Sequence, residues 1–199
     1  WSYSSWSAYA VYTPLTDANF QTAVNLWFSD ETNATVTYGH IRDWNVSAVT
    51  DMHATFRHRS TFDENITGWD VSNITTMNQM FDGAHAFNQP IGDWNVSSVT
   101  NMDGIFFKMT NQGRIGDIGS WDVRNVKSME LAFARIGHDA IDGLGKWDPK
   151  RVQKMQSAFA FSKPPILRQA SAWKLDSAND IKAMMKGSEC TDVNISWSF

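Results

Sequence analysis

The sequence predicts an α/β repeat solenoid: a right-handed coil of one short strand plus one short helix per unit of ~26 residues, with an N-terminal helical cap. Three observations carry this. First, tryptophan recurs at Trp44, Trp69, Trp94, Trp121, Trp147, Trp173 and Trp197, with gaps of 25, 25, 27, 26, 26 and 24. Second, apolar columns keep that register. Two residues after Trp stand Val46, Val71, Val96 and Val123; five after it stand Val49, Ile74, Val99, Val126 and Val152. Eight after it stand Met52, Met77, Met102, Met129 and Met155; twelve after it stand Phe56, Phe81, Phe106, Phe133 and Phe159. Third, the period changes within a unit. Trp and the residue two later share one face of an extended segment. The following apolar positions step by three, three and four residues, which is the spacing of a helix face.

Each element has a reading. Residues 1–14 form a tail rich in Ser and aromatics, without helical period. It is expected to lie on its own solenoid or on a neighbouring chain. Because the chain begins at Trp1 rather than Met, it is read as a processed or trimmed product. Residues 15–40 form the cap: LTDANFQTAVNLWF reads as a helix capped by Thr16 or Asp17, with Phe20, Val24 and Trp27 on one face. Residues 41–186 hold six units, in which Ser47, Ser72, Ser97 and later Asp176 are expected to cap the repeated helix. Residues 187–199 form a closing strand through Trp197 and Phe199.

A unit alone leaves its apolar columns in water, so burial requires stacking. The expected interior ladder comprises Trp44, Trp69, Trp94, Trp121, Trp147 and Trp173, the methionines Met52, Met77, Met102 and Met129, and the phenylalanines Phe56, Phe81, Phe106, Phe133 and Phe159. Each such side chain, fully buried, is worth roughly 1.5–3 kcal/mol of transfer free energy.

Composition narrows the function. With 42% hydrophobic and 19% charged residues the chain fits an ordered globular class. No apolar run approaches the ~20 residues a membrane-spanning helix needs, so any membrane association is expected to be peripheral, through a complex. Charge is asymmetric: residues 1–112 carry 4 Lys+Arg against 11 Asp+Glu, and residues 113–199 carry 13 against 10. No dense basic tract points to nucleic acid.

The stretches WDVSNITTMNQMFDGAHAFNQPIGDWNVSSVTNM and FDENITGWDVSNITTM resemble the repeats of BspA-type leucine-rich-repeat surface proteins, a repeat also known in mycoplasma lipoproteins and some marine algae. The resemblance covers residues 41–186 and weakens after the third unit, where Pro149 replaces the strand Val and the Phe87-Asn88-Gln89 piece is not repeated. It implies a leucine-rich-repeat-like solenoid, a secreted or surface location and protein or matrix binding. It implies no catalytic residues.

Chemical motifs are sparse. His40, His53, His58, His85 and His138 have no metal-ligand spacing, so no metal or other cofactor is expected. The column Asn45, Asp70, Asn95, Asp122 and Asp148 could bridge calcium, but such residues also bond local backbone in turns. Thr50, Thr75 and Thr100 form a column too short for a crystalline surface. Cys190 has only acidic close neighbours, Glu189 and Asp192, and no disulfide partner in the chain. Of six N-x-[ST] sequons, Asn33, placed in the loop before the first unit, is the glycosylation candidate. The expected function is a non-catalytic protein-interaction or adhesion module, extracellular or at the cell surface. The alternative is a fixed subunit of a larger assembly, either a photosynthetic membrane complex in an organelle lumen or an extracellular filament.

If the Trp ladder is interior, Trp94→Ala should destabilise the fold by about 3–5 kcal/mol. A thermal melt reads this directly.

Overall fold

The computed structural model describes residues 12–110, 115–137, 141–162, 164–173 and 184–185. The N-terminal tail as far as residue 11, the closing segment 187–199 with Cys190, and the expected cap Asp176 lie outside the described residues.

The expected α/β repeat solenoid, and with it the leucine-rich-repeat-like coil of strand plus helix, is not what the chain adopts. Among the described residues there are three α-helices: α1 (Phe20–Ser29), α2 (Glu31–Tyr38) and α3 (Pro164–Ala170). One two-stranded parallel sheet pairs β1 (Gly116–Asp117) with β2 (Ile141–Asp142). No described helix follows a Trp in the units between residues 41 and 162; turns stand there instead.

Those turns explain the misreading. Several apolar pairs three residues apart mark the two ends of β-turns, closed by a bond from the fourth residue's N–H to the first residue's carbonyl. Thus Trp69 N–H donates to Ile66 at 3.1 Å, Ile74 N–H to Val71 at 3.0 Å, and Met80 N–H to Met77 at 3.1 Å. The same closures recur as Trp121 to Ile118, Val126 to Val123 and Ala132 to Met129. A chain of such turns buries Met77, Met80, Phe81, Ala84 and Phe87 at a spacing that a helix face would also give.

What separates the two is the destination of the backbone donors. An α-helix keeps its N–H groups within itself. Here alternate donors leave the unit. The N–H groups of Met52, Ala54, Phe56 and His58 reach the carbonyls of Thr76, Asn78, Met80 and Asp82 in the next unit, at 2.7–3.0 Å. Thr55, Arg57 and Arg59 donate within the unit, to Met52, Ala54 and Phe56. Isolated parallel bridges then link Asp51, Thr76, Asn101, Ser128 and Lys154 in succession.

The serines do not cap helices. Ser47 and Ser97 each direct hydroxyl and backbone N–H to the side-chain oxygen of Asn45 and Asn95, closing Asx turns. Asp70 and Asp122 accept the N–H of Ser72 and Arg124 in the same way. This Asn/Asp column therefore bonds local backbone.

The aromatic columns lie inside. Trp44, Trp69, Trp94, Trp121, Trp147 and Trp173 are buried, as are Met52, Met77, Met102, Met129, Phe56, Phe81, Phe106, Phe133 and Phe159. Trp44 stacks on Trp69 at 6.2 Å between centroids, and Trp147 on Trp173 at 6.1 Å. The Phe column continues from Phe56 through Phe81 and Phe106 to Phe133 and Phe159, at 5.1–6.1 Å per step. Burying an indole also buries a donor, which must find an acceptor. Trp69, Trp121, Trp147 and Trp173 donate to the carbonyls of Ile41, Ile91, Ile118 and Leu144, roughly one unit back. Trp94 Nε1 is buried with no partner.

Two helices, rather than one, precede the first unit. Helix α1 buries Phe20, Val24 and Trp27, setting Phe20 edge-on to Trp44 and Trp69. Asp30 caps α2 by accepting the N–H of Asn33. Asp17 does not cap α1. Its carboxylate accepts the N–H of Thr50 at 2.7 Å, the Thr50 hydroxyl at 2.6 Å and the N–H of Asp51 at 3.2 Å. In later units Thr75 and Thr100 donate instead to the carbonyls of Thr50 and Thr75. Asp17, just ahead of α1, thus takes the place that the preceding unit's Thr carbonyl has in the second and third units.

Three outcomes follow. Trp94→Phe should cost about 1–2 kcal/mol less than Trp147→Phe, because the former removes a buried donor without a partner and the latter breaks the bond to the Ile118 carbonyl, which keeps only the Trp121 N–H; paired chemical denaturation curves test this. Far-UV circular dichroism should show weak helical signal despite the 3.6-like pattern. Asp17→Ala should destabilise by about 1 kcal/mol, by analogy with loss of a helix cap. The Thr50 bonds hold the Asp17 carboxyl below its usual 3.8, so this contribution is intact above that value and is lost as pH falls through the folded-state pKa.

Candidate functional site: a cation-rimmed groove on the turn columns

The repeated turns force a particular backbone. A β-turn whose third residue has positive φ suits Gly, because other residues pay for the crowding of Cβ. Two such positions recur in each unit, four residues apart. One column is Ala54, Gln79, Gly104, Leu131 and Ser157; the other is His58, Gly83, Lys108, Arg135 and Phe161, with φ between 54° and 68° throughout. Gly83 and Gly104 meet the requirement without strain in the second and third units. The other positions carry Ala54, His58 and Gln79 in the first two units, Lys108 in the third, and Leu131, Arg135, Ser157 and Phe161 in the fourth and fifth.

Those later residues surround a groove of about 700 Å³, lined by Phe107, Lys108, Leu131, Ala134, Arg135, Ser157, Ala160 and Phe161. Its floor and its chemistry are separable. Ala134 and Ala160 are buried, whereas Leu131 is 39% and Phe161 56% exposed. Large apolar side chains this open to water are few among the described residues. Two cations stand over rings: the Arg135 guanidinium lies 4.9 Å from the Phe161 centroid, and Lys108 Nζ lies 4.7 Å from that of Phe107. Among the described residues no carboxylate lines the groove.

Two other concavities are less open to a ligand. A strip formed by Asp122, Arg124, Asn125, Asp148, Lys150 and Arg151 satisfies much of its own polarity. Arg124 meets Asp122 through two bonds of 2.8 and 2.7 Å, Lys150 meets Asp148 at 2.8 Å, and Arg151 meets Asn125 at 3.1 Å. The Arg124 side-chain and backbone hydrogen bonds hold the Asp122 carboxyl down at about 2. A third hollow, beside Tyr12 and Tyr38, lies where the first unit meets the residues ahead of it.

The sequence-derived candidates fall elsewhere. The Trp, Met and Phe ladder is interior and presents no binding surface. Asn33 lies in α2 rather than in a loop, exposed, with its N–H bonded to Asp30. No group of three or more His, Cys, Asp or Glu capable of holding a metal occurs among the described residues. No described helix is long and apolar enough to cross a membrane. The groove was missed because its residues vary between units.

Residues 22–140 and 132–198 match the model of a family described as Mycoplasma protein of unknown function, DUF285. Comparison with curated proteins and with solved structures returned no match.

Two outcomes test this geometry. Leu131→Gly should raise stability by up to about 1 kcal/mol, since the relief of positive φ exceeds the added chain entropy; Gly104→Ala should lower it by a similar amount. Asp122→Asn should flatten the acid limb of the stability curve. The Asp122 contribution is complete above the ordinary value of 3.8 and is lost as pH falls through about 2. Urea midpoints measured across that range read both.

Proposed function

We propose that this chain, which belongs to the DUF285 family, is a non-catalytic protein-interaction or adhesion module whose docking site is the groove around Arg135 and Phe161. The observation that carries the reading is the meeting of exposed Leu131 and Phe161 with the cations Lys108 and Arg135 in one groove. At the positive-φ turns Gly serves at 83 and 104, so the turn itself has no need of a large side chain. Placing Lys108, Leu131, Arg135 and Phe161 at equivalent positions costs backbone energy and exposes apolar surface to water. His58 and Gln79 hold the same backbone outside the groove, so it is the exposed apolar surface beside two cations that fits a site for contact. The BspA-type resemblance supports the same reading and suggests a surface or extracellular setting.

The alternative, a fixed subunit of a larger assembly, draws on the contrast between an acidic residue range 1–112 and a basic range 113–199. The two readings differ in how the protein is held. A module exchanges partners through the groove; a subunit copurifies in fixed ratio.

Quantitative affinity capture from the native preparation, with wild type and Phe161→Ser side by side, tests the proposal. Retention of specific partners by wild type should fall at least about tenfold in the variant, equivalent to roughly 1.4 kcal/mol, with an unchanged melting temperature. Equal retention by both would overturn the groove assignment.

A further inference from the structure

We infer that the groove takes an acidic peptide segment carrying one aromatic or branched aliphatic anchor. This rests on the docking reading above and adds the chemistry of the occupant. The lining offers two kinds of contact together. Leu131 and Phe161 supply exposed apolar surface, beside buried Ala134 and Ala160 whose small side chains leave room between the ridges. Lys108 and Arg135 supply the charge, and each extends over an aromatic ring of the same wall. A guanidinium lying over a ring keeps its edge donors free for a carboxylate, so the stacked Arg135 is positioned in advance for an anion.

Charge complementarity favours an acidic occupant over a basic one, because the described lining offers two cations and no carboxylate. It also disfavours an anionic bilayer. The chain carries a net charge of −4, and residues 1–112 hold 11 Asp+Glu against 4 Lys+Arg, so a flat acidic surface would be repelled over most of the protein. A narrow segment can reach the two cations without approaching the acidic half. The groove volume of about 700 Å³ suits a few side chains of an extended segment.

Selection of random linear peptides on the immobilised full chain tests the inference. Enriched peptides should hold Asp or Glu on either side of a Phe, Trp, Leu or Ile. Their affinity should fall with added salt, and drop about tenfold or more on Arg135→Glu. Lys127→Glu, a charge reversal outside the groove, should leave binding unchanged. Arg135→Gly removes the same cation while relaxing the positive φ, so it reads the charge even if Arg135→Glu does not fold.

Enriched peptides that are lost on Phe161→Ser but indifferent to Arg135 and to their own acidity would overturn the acidic inference and leave the docking site standing. Enriched peptides indifferent to Phe161→Ser as well would overturn both. Binding to phosphatidylserine vesicles that Arg135→Glu abolishes, in place of peptide binding, would assign the groove to a lipid surface. Salt-sensitive self-association abolished by the same variant would assign it to a second copy of the chain. Either result would defeat the peptide inference.

Discussion

The structure depends on where alternate backbone donors go. In each unit one N–H closes a turn inside the unit and the next crosses to the neighbouring unit, as Arg57 and His58 do. The unit therefore cannot be a helix, because a helix would retain the donors that the neighbour needs. It cannot stand alone either, because its outward donors would lose their acceptors. Backbone satisfaction and apolar burial consequently demand the same neighbour. The first unit shows the rule by its exception, since the Asp17 carboxylate takes the place that the preceding unit's carbonyl has in the second and third units.

The same constraint fixes the interior. Bonding units in parallel register superimposes equivalent residues, so a Trp meets a Trp and a Phe meets a Phe at stacking distance. The indole N–H groups of Trp69, Trp121, Trp147 and Trp173 then reach back to a carbonyl near the preceding Trp. Side-chain and main-chain hydrogen bonds thus tie the same pairs of units together. Turns also determine the outer surface. Their positive-φ residues recur at fixed places, and from Lys108 onward the side chains at those places line the groove.

Much of this was legible in the residues. The register, the apolar columns and the interior position of Trp and Phe follow from recurrence and burial alone. The secondary structure was not legible by period, because a run of β-turns and an amphipathic helix bury residues at nearly the same spacing. Gly104, inside a stretch expected to be helical, carries the contrary signal: Gly is a poor helix former and a good third residue of a turn. Ser47 has the residue type of a helix cap, but Asn45 two residues earlier draws its hydroxyl and N–H into an Asx turn. Asn33 was placed in a loop because α2 has no apolar stripe to reveal it; only Ala34 of that helix is buried.

Sequence by itself determined which residues recur and which side of each must leave water, because both are properties of composition and spacing. Tertiary structure decided how the backbone between them is hydrogen-bonded, because each donor's choice between its own unit and the next depends on whether that neighbour is in place. It also decided the groove, whose members Lys108, Leu131, Arg135, Ser157 and Phe161 share no residue type and meet only when three successive units lie side by side.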